Sequence, residues 1–215
     1  MKKISKIEGI VAPLKHANVD TDIIMPKQFL KSIRRTGYGQ HIFDAWRYND
    51  MGELGMDCAQ RPLKSDFVLN NPAYKHTKIL VTGKNFGCGS SREHAVWGLV
   101  EFGIEAIIAP SFAEIFYHNA IKNGLLPIVL SEEAVNTLMN LSIEQPGVLS
   151  QIDLESQNVI LKELAFEFEI EPADKNKLLN GLDDIALTLH YADKITAYEK
   201  SREIVEPWIF VDNKI

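Results

Sequence analysis

Cysteine is scarce in this chain: Cys58 and Cys88 are the only two among 215 residues, and their local contexts are unlike. That argues against a disulfide framework, and against a zinc or iron–sulfur site built from this chain's own thiolates, which needs more ligands. Long apolar runs are missing too. Stretches such as "EAIIAP" and "GLLPIVL" have strand length, far short of the ~20 residues of a membrane span. The opening "MKKISKIEG" carries lysines but no apolar segment after them, unlike a signal peptide, so the expected compartment is the cytoplasm. Basic clustering is also lacking. Lys and Arg number 23 against 29 Asp and Glu, a net charge of −6, and they are scattered. Nucleic acid and anionic membranes require a basic face, so neither is expected as a partner. Internal repeats, low-complexity tracts and linkers are absent as well, and residues 1–215 are expected to form a single domain.

What is present suffices for a core, since 46% of the residues are hydrophobic. "KIEGIVAPL" alternates and predicts a strand. "NVDTDIIMPKQFL" follows with Asp-rich turn chemistry, "KSIRRTGYGQ" is a Gly-punctuated basic loop, and "QHIFDAW" predicts a short helix. Residues 47–66, with little apolar periodicity, form a polar excursion that is either ordered by contacts or mobile. From Tyr74 onward, "KILVTG", "EAIIAP" and "LPIVL" predict buried strands. Between them, "SREHAVWGLVEFG" predicts a helix with Ala95, Val96, Leu99 and Val100 on one face, and "SFAEIFYHNAIKNG" a second. This βαβαβ order implies a parallel α/β unit. A helix opened by Ser131 comes next, then an antiparallel pair from "SQIDLESQNVIL" and "ELAFEFEI", and a helical C-terminal extension ending in "PWIF". The predicted class is α/β.

The stretch "GKNFGCGSSREHAV" between a strand and a helix holds the candidate chemistry. It is no Walker A loop, because no Gly-Lys-Ser/Thr closes it, and no dinucleotide fingerprint, because Ser90, Ser91 and Arg92 stand where the third glycine is needed. The nucleophile elbow Gly-x-Ser-x-Gly is absent too. What remains resembles an anion site at a helix start. Ser90 and Glu93 have the spacing of a capping box, which by itself gives Ser90 a purely structural role. That role explains neither Ser91 nor Arg92. An arginine in the first turn faces the positive end of the helix dipole, at a cost of a few tenths of a kcal/mol unless an anion sits there. Gly83, Gly87 and Gly89 would let backbone approach a ligand. Together they describe a pocket for a carboxylate or phosphate, gripped by a guanidinium. A serine hydroxyl there would deprotonate more readily beside backbone N–H dipoles and Arg92.

"GCGSSREHAVWGL", with the upstream "NVDTDIIMPKQFLKSIRRTGYGQHIF" and the later "FAEIFYHNAIKNGLLPI" and "EPWIF", resembles the small-subunit family of 3-isopropylmalate dehydratases in the aconitase superfamily. The resemblance runs over nearly the whole chain. It implies a swivelling β/β/α domain that docks on a large subunit with an iron–sulfur cluster, and no cofactor bound by this chain. The implied reaction is a hydro-lyase isomerisation of 2-isopropylmalate to 3-isopropylmalate in leucine biosynthesis, by dehydration and rehydration of a small dicarboxylate. Carried over by motif, Ser90 is the base that takes a proton from carbon, and Ser91 and Arg92 bind substrate carboxylate. The cluster would act as a Lewis acid on the departing hydroxyl.

The resemblance also gives weight to residues that otherwise look structural. Asp20 and Asp22 are ordinary turn formers, but their segment lies near the family's active site, making Thr21 and Asp22 second-tier candidates. Lys31, Ser32, Arg34 and Arg35 would by default be a solvated loop, yet in the family this loop faces the substrate; which arginine does so stays open. His94, His118 and His190 lack metal-ligand spacing, Cys88 stands alone as a ligand, and Trp208 and Phe210 suit anchors for the tail. Two other functions remain open. One is a sister hydro-lyase acting on citraconate, 2-methylmalate or homoaconitate, distinguished by "FLKSIRRTG". The other is a non-catalytic anion-binding module, which would have little use for a second serine.

Overall fold

A computed structural model describes residues 1–31 and 34–210. They fall into two compact units, Met1–Gly181 and Leu182–Ile215.

The first unit is a mixed α/β structure on one seven-stranded sheet. Its elements in chain order are β1 (Lys6–Leu14), α1 (Thr21–Ile24), α2 (Asp44–Arg47), β2 (Ile79–Thr82), α3 (Glu93–Phe102), β3 (Ala106–Ala109), α4 (Glu114–Lys122), β4 (Leu126–Val129), α5 (Glu132–Glu144), β5 (Leu149–Asp153), β6 (Asn158–Leu161), β7 (Leu164–Glu167) and α6 (Pro172–Asn180). The strand order is β4-β3-β2-β1-β5-β6-β7. Strands β1 to β4 run parallel, and β5 to β7 continue the sheet antiparallel from the other edge of β1.

β1 serves both halves, and its sequence shows how. Lys6 to Ile10 pair antiparallel with β5 and alternate exposed and buried, as a strand with one wet face must. Val11 to Leu14 pair parallel with β2 and are all buried, as are every residue of β2 and β3. The expected βαβαβ unit and the antiparallel pair after it are both present. The sheet separates two apolar clusters: Phe29, Tyr38, Phe43, Phe86 and Leu99 on one side, and Ile7, Val11, Ile79, Ile108 and Leu138 on the other.

Three local expectations need correction. The helix over 40–46 is broken: Gly39–His41 is a 3-10 turn and α2 starts only at Asp44, because Phe43 is buried in a left-handed conformation with its N–H on the Ile24 carbonyl. Val100 leaves the buried face of α3 and is exposed, while Ala95, Val96 and Leu99 are buried with Gly98. The N-cap of α3 is Arg92, with no side-chain cap bond, so Ser90 and Glu93 form no capping box. Ser131 does cap α5, accepting from the Ala134 N–H at 3.2 Å.

The 47–66 excursion is ordered by contacts around a buried guanidinium. Arg61, whose side chain is 3% exposed, pairs with Asp44 through Nη1 and with Asp50 through Nε. Its Nη2 donates to the Asp50 carbonyl at 2.9 Å, and its guanidinium lies 3.7 Å from the Tyr48 ring centroid. Asp44 also accepts the Gly52 N–H at 3.0 Å. Burial alone would lower the Arg61 pKa, but the hydrogen bonds to Asp44 and Asp50 outweigh it and raise it.

The second unit holds α7 (Asp184–Leu189), capped by the Asp183 carboxylate on the Ala186 N–H, α8 (Ala192–Val205), and a 3-10 turn over Pro207–Ile209. No helix among the described residues is long and apolar enough to cross a membrane.

Candidate active site

Because β1, β2 and β3 run parallel, the segments that leave their carboxyl ends meet at one edge of the sheet, where ligands bind in open α/β folds. Three of them interleave there. Gly87 donates to the Val19 carbonyl at 2.7 Å and Thr21 to the Cys88 carbonyl at 2.9 Å, while Phe86 donates to Ser111 and Ala113 to Phe86 at 3.1 and 3.0 Å. The 86–88 segment thus lies like a short extra strand between 18–21 and 111–113. Gly83 and Gly87 serve chain–chain approach, whereas Gly89, at φ +90°, has nothing closer than Asp20 Cβ at 3.5 Å. A side chain on Gly83 would meet the His16 carbonyl at 2.7 Å, and one on Gly87, at φ +75°, would run into the Phe116 ring.

Ser90, Ser91 and Arg92 follow at the start of α3. Both serines are exposed, and neither hydroxyl makes a hydrogen bond among the described residues. Thr21 Oγ1 donates to the Ser90 carbonyl at 2.9 Å, fixing the backbone that carries the serine. Asp20 caps α1 by accepting the Ile23 N–H at 2.7 Å. Asp22, on the same element, pairs with Arg92 Nη1. The anion that Arg92 requires at the positive end of α3 is supplied within the chain. The structure therefore brings Thr21 and Asp22 together with Ser90, Ser91 and Arg92.

Asp22 also borders a cleft of about 590 Å³, whose walls include Asp20, Lys27, Tyr48, Asp50 and Lys64. The far wall belongs to the excursion that Arg61 holds in place. Lys31, Arg34 and Arg35 are exposed. Arg35 lies with its guanidinium 5.6 Å from the Trp97 ring centroid, on α3. Ser32 lies outside the described residues.

Residues 1–133 match the family described as Aconitase C-terminal domain, and residues 184–212 match the family of the C-terminal domain of 3-isopropylmalate dehydratase small subunits. Over 211 residues, 98% of this chain and 99% of the relative, the sequence is 56% identical to the 3-isopropylmalate dehydratase small subunit of Neisseria gonorrhoeae. The chain belongs to the 3-isopropylmalate dehydratase small-subunit family. A family member from Nitrosomonas eutropha is 53% identical over 98% of this chain and 100% of its own. Among solved structures, the 3-isopropylmalate dehydratase of Methanocaldococcus jannaschii superposes with a TM-score of 0.60 at 28% identity, covering 92% of this chain and 99% of its own.

Within this family member, two contributors escape motif reading. The Glu101 carboxylate, in the last turn of α3, accepts the consecutive N–H groups of Gly37, Tyr38 and Gly39 at 2.7, 2.6 and 3.0 Å. It thereby ties down the chain just after Arg34 and Arg35. An acidic residue at the negative end of a helix is unfavourable, and that misplacement is the signal that could have found it. Glu93, released from capping, accepts from Asn123 Nδ2 at 2.8 Å, and Asn123 Oδ1 accepts from Trp97 at 3.0 Å, so α3 is locked to the end of α4. His94, beside the Tyr38 and Trp97 rings, has its pKa lowered by burial, with Glu93 opposing and Arg92 reinforcing. Among the described residues no three His, Cys, Asp or Glu side chains are grouped so as to hold a metal ion.

Proposed function

We propose that this chain is the small subunit of a cytoplasmic hydro-lyase that converts 2-isopropylmalate to 3-isopropylmalate by dehydration and rehydration in leucine biosynthesis, active only with its large subunit. Family membership over nearly the full length gives the reaction class. The observation that carries the chemistry is the sequence Ser90-Ser91-Arg92, set with open hydroxyls at the start of α3 beside Asp22.

In this reading Ser90 takes the proton from the substrate carbon. Its backbone is held by Thr21, which fixes the Cα from which the hydroxyl projects. Arg92 offers five N–H donors, and Asp22 engages Nη1. The ion pair orients the guanidinium plane, and its remaining donors grip a substrate carboxylate bidentately with Ser91 alongside. Lys31, Ser32, Arg34 and Arg35 form the loop that meets the substrate's variable group.

A metal cluster does not fit this chain's own residues. It has two thiols, and that of Cys58 is buried against His41 and Arg61 at 3.6 and 3.8 Å, whereas an all-cysteine iron–sulfur cluster takes four thiolates. The iron–sulfur cluster of this enzyme, in our reading, belongs to the large subunit. The test is reconstitution: isomerase activity is expected only on mixing the purified chain with the large subunit. Turnover by this chain alone, or none with the partner present, would overturn the reading.

A further inference from the structure

We propose that the C-terminal unit, Leu182–Ile215, is the grip by which this chain holds its large subunit; the inference rests on the small-subunit reading above. Neither α7, α8 nor the 3-10 turn over Pro207–Ile209 buries a single side chain. Yet "IVEPWIF" places five large apolar residues in seven positions: Ile204 is 83% exposed and Trp208 70%, and Val205, Ile209 and Phe210 are exposed with them. Pro207 closes α8 and opens the turn that carries Trp208 and Ile209. Upstream, exposed Tyr191, Ile195, Tyr198 and Val205 recur at helical spacing and mark one face. Arg202 interrupts that face, but its charge is tied off by Glu206 at 2.6 Å and by the Tyr198 hydroxyl at 2.9 Å. Ile204 lies on the opposite side of α8, so the apolar residues gather at the helix end around Pro207 and not along one stripe; exposed and rich in aromatic residues, they have the composition of a binding hot spot.

The two family matches bear on what covers it. Residues 1–133 match a domain described as C-terminal, a description that suits a domain carried at the end of a longer chain. Such a domain is kept at high effective concentration beside its neighbours by the peptide bond. A free subunit has no such tether and must replace it with affinity. The tail is the part of this chain matched by a domain named for the small subunit itself, at residues 184–212. The added segment and the exposed apolar residues coincide. The partner surface it fits is an apolar groove that accepts a helix end with aromatic anchors.

The test uses the full chain and the purified large subunit from the same organism. Trp208→Ala and Ile204→Ala, each an exposed position that should leave the melting temperature unchanged, are expected to weaken binding at least ~10-fold in titration calorimetry. At saturating large subunit kcat should return to the wild-type value, because the tail contributes no group to the site. Hydrogen exchange on the wild-type chain provides a measurement free of mutation: amides of 192–210 should gain protection when the large subunit is added. Unchanged affinity in both variants, or tail amides already protected in the free chain, would overturn the proposal. So would a homodimer of the chain alone that Trp208→Ala dissociates, since the occupant would then be a second copy. If instead the wild-type pair binds but does not isomerise 2-isopropylmalate, the functional reading fails while the grip stands.

Discussion

Arg92 and Asp22, seventy residues apart in the chain, form an ion pair that ties the start of α3 to the first turn of α1. The pair joins the two segments of the candidate site and resolves the oddity of an arginine at the positive end of a helix. Glu101 mirrors it at the other end, misplaced for the helix dipole but satisfied by three backbone N–H groups of the 37–39 loop. Both exceptions to the dipole preference of α3 are thus offset by residues that position the site.

Ser90 is not the cap of α3, so Ser90→Ala should escape the ~1 kcal/mol cost of losing an N-cap. The expected change in stability stays within about 0.5 kcal/mol. Turnover of the reconstituted enzyme should nevertheless fall at least ~10²-fold, the usual scale for removal of a general base. Thermal melting and steady-state kinetics read the two quantities separately, and near-normal turnover in a folded variant would reject Ser90 as the base.

Arg92→Lys keeps the charge but loses the fork that grips a carboxylate and Asp22 together. The Michaelis constant should rise and turnover fall. Asp22→Asn should raise the Michaelis constant by several-fold while changing stability by no more than ~1 kcal/mol, because the pair is partly exposed. Equal kinetics for wild type and both variants would make the pair a surface contact only.

Removing Asp44 takes away the buried counter-charge of Arg61 and leaves it only the partly exposed Asp50. Asp44→Ala is expected to cost about 2–4 kcal/mol, somewhat below the loss of a sole buried partner, measured by urea denaturation. The same change should loosen the wall of the cleft that Tyr48 and Asp50 line. A loss below ~1 kcal/mol, the range of an exposed pair, would show that the excursion is not stapled there.

His94 titrates below its ordinary 6.5 in the folded chain, with burial the main cause. The unfolded chain takes up the proton first, so the contribution of neutral His94 is fully present above the unfolded value and is lost as pH falls through the lower folded one. Between about pH 7.5 and 5, a window that brackets the ordinary histidine value, wild type should lose more melting temperature than His94→Gln. Parallel pH profiles for the two proteins would remove His94 from the balance.

The chain's periodicity determined the strands and helices of the βαβαβ unit. Unbroken apolar runs in "ILVT" and "AIIA" suit strands covered on both faces, and the helices between them made the unit parallel. The alternation of "KIEG" marked the half of β1 that pairs antiparallel, because a one-sided strand must switch faces every residue. The Ser-Ser-Arg motif was legible for the same reason: its residues are adjacent, and a helix start shows in sequence. Everything that depends on partners distant in the chain was decided by tertiary structure. The Ser90–Glu93 spacing suited a capping box, yet packing drew Glu93 to Asn123 and put the N-cap at Arg92, so the helix starts at Glu93. Gly83 and Gly87 looked like openings for a ligand and proved to be crossings of the chain's own segments. Residues 47–66 show no periodicity because a buried guanidinium and a Tyr48–Leu63 bridge order them, and such a hydrogen-bonded hub leaves no repeating pattern along the chain. The partner of Arg92 was invisible on the same grounds: electrostatic pairing acts through space, and only the folded chain brings Asp22 to the guanidinium.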